Sequence, residues 1–281
     1  MTPTLVRQHL PQAGSAPRVD QGARARDWSE IQERMLVPLY EAVYERLEVG
    51  SGTRLLGLGC GSGLALLMAA VRGAEVTGVE CHSPERLALA RERLLPAAPE
   101  SPARGGARLV RRTPERAAAA YNLVTAFEPI GCLAGDSEGL AELLAGAVPV
   151  AERGTPVVLA GWGPPERCAT SSVLRVAGKL ADPLRSPGSW RPALRDDLEE
   201  VAQRAGLRPD GSGRVSCPFG YADVASARRG LLSTGLFDAA IEATDQEQVD
   251  KELAEALHPH RRADGTVWMP NVFRYLIATV P

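Results

Sequence analysis

The chain has 281 residues, 44% of them apolar and 23% charged, with a formal net charge of −2, the make-up of an ordinary globular protein. Near-neutral charge without a Lys/Arg block leaves no electrostatic footprint for nucleic acid or a membrane surface, and no apolar run approaches the ~18 residues that a bilayer span requires. The five cysteines, Cys60, Cys81, Cys132, Cys168 and Cys217, are odd in number, widely spread and form no CxxC pair; this argues against a zinc site or a disulfide framework and for reduced thiols in a cytoplasm.

Residues 1–26 are polar and punctuated by Pro and Gly, without the charged start and apolar stretch of a secretory signal, so they read as a flexible leader. From Asp27 to Leu47, Trp28, Ile31, Met35, Leu39, Val43 and Leu47 recur at three- and four-residue spacing, which predicts a helix. Strand-like and helix-like segments then alternate. Residues 53–58, 74–80, 107–111, 122–127 and 155–162 read as strands. Residues 63–73, 83–95 and 137–148 read as helices, the second opened by Ser83 as N-cap and Pro84 at its first position. Such alternation means βαβ units, hence a parallel sheet covered by helices on both faces.

Beyond Trp162 the alternation stops. Residues 195–206 form an amphipathic helical pattern closed by Gly206, 213–221 read as a strand, about fifty residues follow that are mainly helical, and 272–280 carry a strong strand pattern. The expected organisation is a core over 27–220 and 271–281, with residues 221–270 inserted as a helical lid.

The stretch "LLGLGCGSG", Leu55 to Gly63, joins the first strand to the first helix after it. A glycine loop there places backbone N–H groups and a positive helix end at the carboxyl edge of the sheet. A triphosphate loop of the form GxxxxGK[ST] is excluded, because no lysine follows. The dinucleotide pattern GxGxxG also fails, since its last slot would be Leu64 or Ser62. GxGxG does match, with Gly59, Gly61 and Gly63.

Followed by "AEVTGVECHSPERLALARERL", this loop resembles the core of class I S-adenosylmethionine-dependent methyltransferases, and the likeness extends over residues 27–281. "YNLVTAF" is similar to the family's fourth strand. "RPALRDDLEEVAQRAGL" and "DGTVWMPNVFRYLIA" are similar to the tail of an actinobacterial small-molecule group. The resemblance implies a Rossmann-like, seven-stranded, mostly parallel sheet and S-adenosyl-L-methionine as cofactor. It also implies that Gly59, Cys60, Gly61 and Gly63 cradle the cofactor, that Glu80 takes its ribose hydroxyls, and that Thr113 and Phe127 lie beside it. The sequence departs from the pattern twice. Gly57 stands where the family's first strand carries an acid, and Thr113, in "RRTPERA", stands near the slot of an aspartate.

The expected activity is methyl transfer to a small molecule of secondary-metabolite type, with no nucleic-acid or membrane partner and with a homodimer left open. The alternative is a methyltransferase-like protein without transfer activity, suggested by Gly57 and Thr113. Methyl transfer needs alignment and, for a protonated nucleophile, a base. Glu128, at the end of the fourth strand, is a candidate base; a solvated strand-end acid is the plain alternative. His258, in "HPHRR", is a second candidate base against a simple exposed helix end. Trp28, Trp162 and Tyr221 are candidate substrate contacts, with core packing as the other reading of Trp28. No residue cluster suggests a metal.

Overall fold

The sheet places the carboxyl ends of two neighbouring parallel strands, Arg54–Leu58 (β1) and Leu123–Ile130 (β4), side by side. The computed structural model describes residues 20–95, 106–114, 120–181 and 190–281. Strands β1 Arg54–Leu58, β2 Glu75–Val79, β3 Ala107–Val110, β4 Leu123–Ile130, β5 Pro156–Trp162, β6 Arg208–Ser216 and β9 Val272–Thr279 form one sheet in the order β3-β2-β1-β4-β5-β9-β6. The first five are parallel, and β9 runs antiparallel between β5 and β6. This is the seven-stranded, mostly parallel sheet expected from the sequence. Strand order reverses between β1 and β4, the switch point at which open α/β sheets leave a crevice.

Strands of a doubly covered sheet are apolar on both faces. In β1, Leu55 belongs to the core under α2 Val37–Arg46, α3 Leu64–Val71 and α4 Pro84–Leu94. Leu56 and Leu58 belong to the opposite core, under α5 Asp136–Ala147 and α7 Asp197–Arg204.

The chain before β1 corrects the expected flexible leader over 1–26. Gln21–Asp27 is a helix, α1, capped by the Asp20 side chain accepting from Ala23 N at 3.0 Å; residues 1–19 lie outside the described residues. From α1 the chain passes through a π turn at Trp28–Gln32 and a 3₁₀ turn at Glu33–Leu36 into α2. Pro38 is the cause on sequence: it has no N–H to continue the α-helical ladder, so the preceding turn tightens.

The expected strand 213–221 is really two. β6 ends at Ser216, and after Pro218 the chain leaves the main sheet. Phe219–Tyr221, β7, then pairs antiparallel with β8, Val267–Met269. Between them lie α8 Val224–Leu232, α9 Asp238–Ala243 and α10 Gln246–Leu257, which pack against one another, against α6 Thr170–Leu180 and against the segment at residues 21–32. Val249, Leu253 and Leu257 form the buried stripe of α10 at four-residue spacing, as an amphipathic surface helix requires.

Candidate active site

Gly59, Gly61 and Gly63 all have positive φ, at 57°, 55° and 81°, so the loop's left-handed path itself demands glycine. Close approach adds to this at Gly61, where a Cβ would lie 3.0 Å from Glu33 Oε1 and 3.2 Å from Trp28 Nε1. Gly57 has a different reason. It pairs with Gly78 on β2, and the Leu66 side chain of α3 fills the notch between them. A Cβ at Gly57 would meet Leu66 Cδ2 at 2.8 Å, and one at Gly78 would meet Leu66 Cδ1 at 2.5 Å. A side chain at position 57 would require Leu66 to move aside.

An acid reaches the loop from elsewhere. Glu33, only 3% exposed, accepts from Ser62 N at 3.2 Å and from the Ser62 hydroxyl. Arg93 of α4 pairs with Glu33 Oε2 at 2.9 Å, donates to the Ser62 carbonyl at 2.8 Å, and donates to Ser29 Oγ at 2.8 Å. A buried carboxylate needs this kind of full partnership. Nothing in the sequence near the glycine loop pointed to Glu33, because it lies 29 residues from Ser62 on another helix.

Glu80, at the end of β2, is buried, and its carboxylate accepts from Gly61 N at 3.1 Å, His82 N at 3.0 Å and Ser83 N at 3.1 Å. It therefore holds the loop's shape first. A carboxylate has about four acceptor positions, so three bonds leave it spare capacity, and it also lines a polar cleft with Arg24, Ser83, Arg86 and Glu128. Cys60 lies in the loop with its sulfur against Gly78. Burial, and then the carboxylates of Glu80 and Glu33, push its thiol pKa far up, so it stays protonated.

Glu128 occupies the junction of the polar cleft, a narrow hollow under the loop and an apolar cavity. Its side chain is 52% exposed, with Arg86 Nη1 3.6 Å from Oε1. Partial desolvation at the crevice raises its pKa above the ordinary carboxylate value, and Arg86 opposes the rise. The Arg86 guanidinium also lies 4.0 Å from the centre of the Trp28 ring, a cation–π contact. Trp28 is 8% exposed, and its Nε1 is buried with no hydrogen-bond partner among the described residues.

The apolar cavity holds about 320 Å³ at the carboxyl ends of β1, β4 and β5, a volume within the range of small-molecule sites. Its walls include Leu36, Leu140 and Leu143, and the cluster of Trp162 with Phe273 at 4.6 Å and Phe219 at 5.9 Å. Thr234 and Leu236, from the inserted helical segment, also line it. Asp136 lines it as well, with Oδ2 accepting from Gly131 N at 2.6 Å and Cys132 N at 3.0 Å, while Arg191 bridges Asp136 and Asp197.

Of the candidates, Gly59, Gly61, Cys60, Glu80, Phe127, Glu128, Trp28 and Trp162 thus gather around one crevice, and Gly63 opens α3 behind it. Phe127 faces the narrow hollow and packs on Tyr40, ring centres 4.9 Å apart. Three candidates lie elsewhere. His258 is exposed and lines none of the three hollows, because the inward stripe ending at Leu257 turns the next residue outward. Tyr221 is buried off the cavity, and its hydroxyl donates to Gln32 Oε1 at 2.9 Å, so it ties the inserted segment to the 21–46 helix. Thr113 packs against α5, 3.5 Å from where a Gly146 Cβ would be, and lines none of these hollows.

No family model matches the sequence, and no curated protein matches it. Solved structures do. A cyclopropane synthase of Mycobacterium tuberculosis superposes with a TM-score of 0.53 at 13% identity, over 92% of this chain and 94% of that one. An S-adenosylmethionine-dependent methyltransferase of Thiobacillus denitrificans in complex with S-adenosyl-L-homocysteine gives 0.50 at 16% identity, over 94% and 100%. YjhP of E. coli gives 0.50 at 19% identity, over 92% and 99%. The fold is that of class I S-adenosylmethionine-dependent methyltransferases.

The crevice also suits that cofactor chemically. An unpartnered buried donor, Trp28 Nε1, stands beside the glycine loop, and leaving it unpaired costs about 1–3 kcal/mol. A carboxylate with spare acceptor capacity, Glu80, borders the adjoining polar cleft.

Proposed function

We propose that the protein is an S-adenosylmethionine-dependent methyltransferase acting on a small molecule, with residues 221–270 serving as the lid of its substrate cavity. The observation that carries this reading is the meeting of three features at the carboxyl ends of β1 and β4: the glycine loop, the buried donor of Trp28 and the apolar cavity with Glu128 at its edge.

Bound there, S-adenosyl-L-methionine supplies an electrophilic methyl group on sulfur. The protein's own groups hold and align. The loop from Gly59 to Gly63 and the Trp28 indole N–H would hold the amino-acid end, and Glu80 a ribose hydroxyl. Leu140, Leu143, Trp162 and Phe273 exclude water and orient the acceptor, the proximity contribution that such a reaction mainly needs. Glu128, its pKa raised by desolvation, accepts the proton that a hydroxyl acceptor must release.

Thermal unfolding with added ligand tests this reading. Ligand at a hundredfold excess over Kd adds about 2.7 kcal/mol of stability, so S-adenosylhomocysteine should raise Tm by several degrees while ATP and NADH leave it unmoved. Equal shifts with all three, or none with S-adenosylhomocysteine, would leave the binding-protein alternative standing.

A further inference from the structure

The apolar cavity holds two carboxylates, Glu128 and Asp136, and no lysine or arginine among its described lining residues. His82 also lines it, and two arginines beside it are engaged outside. Arg86 is stacked on Trp28, paired with Glu128 and part of the polar cleft. Arg191 is enclosed between Asp136 and Asp197, at 2.9 and 3.0 Å. A phosphate or diphosphate placed in this cavity would lose its hydration, find no lysine or arginine among the described lining residues, and lie against two carboxylates with His82 as the only imidazole among those residues. An aromatic or aliphatic body, by contrast, finds Trp162, Phe219 and Phe273 on one side and Leu140 and Leu143 on another, where burial is worth about 25 cal/mol per Å².

We infer that the acceptor is an uncharged, largely apolar and ring-containing molecule that presents a single hydroxyl or amine to Glu128, and that phosphorylated acceptors are rejected. This rests on the methyltransferase reading for the word acceptor, but the binding preference does not.

The test compares 1-naphthol with 1-naphthyl phosphate on the full chain by equilibrium dialysis, at about pH 8 to keep imidazole charge out of the comparison. The expected result is saturable binding of 1-naphthol and at least tenfold weaker binding of the phosphate. Two variants place the site. Leu143, a half-buried lining residue on α5, changed to Trp should fill the cavity and abolish naphthol binding. Changed to Arg, it should put a cation in the cavity and reverse the preference toward the phosphate. Binding of the phosphate as tight as that of naphthol to the wild type, no binding of either, or naphthol binding untouched by Leu143→Trp would each overturn the inference. S-adenosylhomocysteine binding, measured on the same preparation, decides the methyltransferase reading separately: if it fails while naphthol is still preferred, only the word acceptor falls.

Discussion

Restoring the acid that the resemblance expects on β1 should damage this protein. In Gly57→Asp, the new Cβ lies 2.8 Å from Leu66 Cδ2, and overpacking of this sort costs about 1–3 kcal/mol. The new side chain would also compete with Leu66 for the narrow hollow that both positions line, next to Leu55, which like Leu66 is at or near full burial. Desolvation that raises its pKa by roughly two to three units costs about 3–4 kcal/mol more at pH 7. The sum, about 4–7 kcal/mol, is a large part of the 5–15 kcal/mol that a domain has, and corresponds to a fall in Tm of roughly 10–20 °C for a chain of this size. Gly57→Ala isolates the steric part and should cost only about 1–3 kcal/mol. Since Leu66 causes the clash, Leu66→Ala and Gly57→Asp should couple by roughly 1–3 kcal/mol in a double-mutant cycle. Urea unfolding followed by circular dichroism reads all five proteins, wild type included. A Gly57→Asp variant as stable as wild type, or no coupling to Leu66, would refute the notch argument.

Removing the buried acid of the loop, Glu33→Ala, leaves Arg93 unpaired but 21% exposed, so the loss should be about 1–3 kcal/mol rather than the 3–5 of a fully buried pair, read by thermal unfolding. Trp28→Phe removes the partnerless N–H and should not lower stability by more than about 1 kcal/mol, yet it should weaken S-adenosylhomocysteine roughly tenfold or more in calorimetry. Tyr221→Phe removes only the bond to Gln32 and should cost about 1 kcal/mol of stability, with turnover unchanged. For Glu128 the folded-state pKa is raised, so its contribution to stability is present at low pH and is lost as pH rises through that pKa. Glu128→Gln should therefore gain stability relative to wild type between acid and neutral pH while losing turnover; denaturant titrations across pH check the sign.

What the sequence made legible was local. The three positive-φ glycines, the strand before them and the acid ending β2 lie within one βαβ unit, where periodicity and turn chemistry act over a few residues. Gly57 was visible as an anomaly, but its cause is a side chain of the following helix packed against two strands at once. Glu33 was invisible because a π turn and a 3₁₀ turn aim it at a loop 29 residues away. Tyr221 and His258 were misplaced for a related reason. The break at Pro218 sends β7 off the sheet, and the set of α10 is fixed by packing on α6 and α8. Neither the pairing of β7 with β8 nor that packing is written in local spacing.

Titration calorimetry of S-adenosylhomocysteine into the wild-type protein and Glu80→Ala tests the central claim most directly. The expected result is one site per chain with micromolar affinity, lost in Glu80→Ala, because that carboxylate both shapes the loop through Gly61 N and borders the polar cleft. No heat with wild type at millimolar ligand, or equal affinity in the variant, would contradict it.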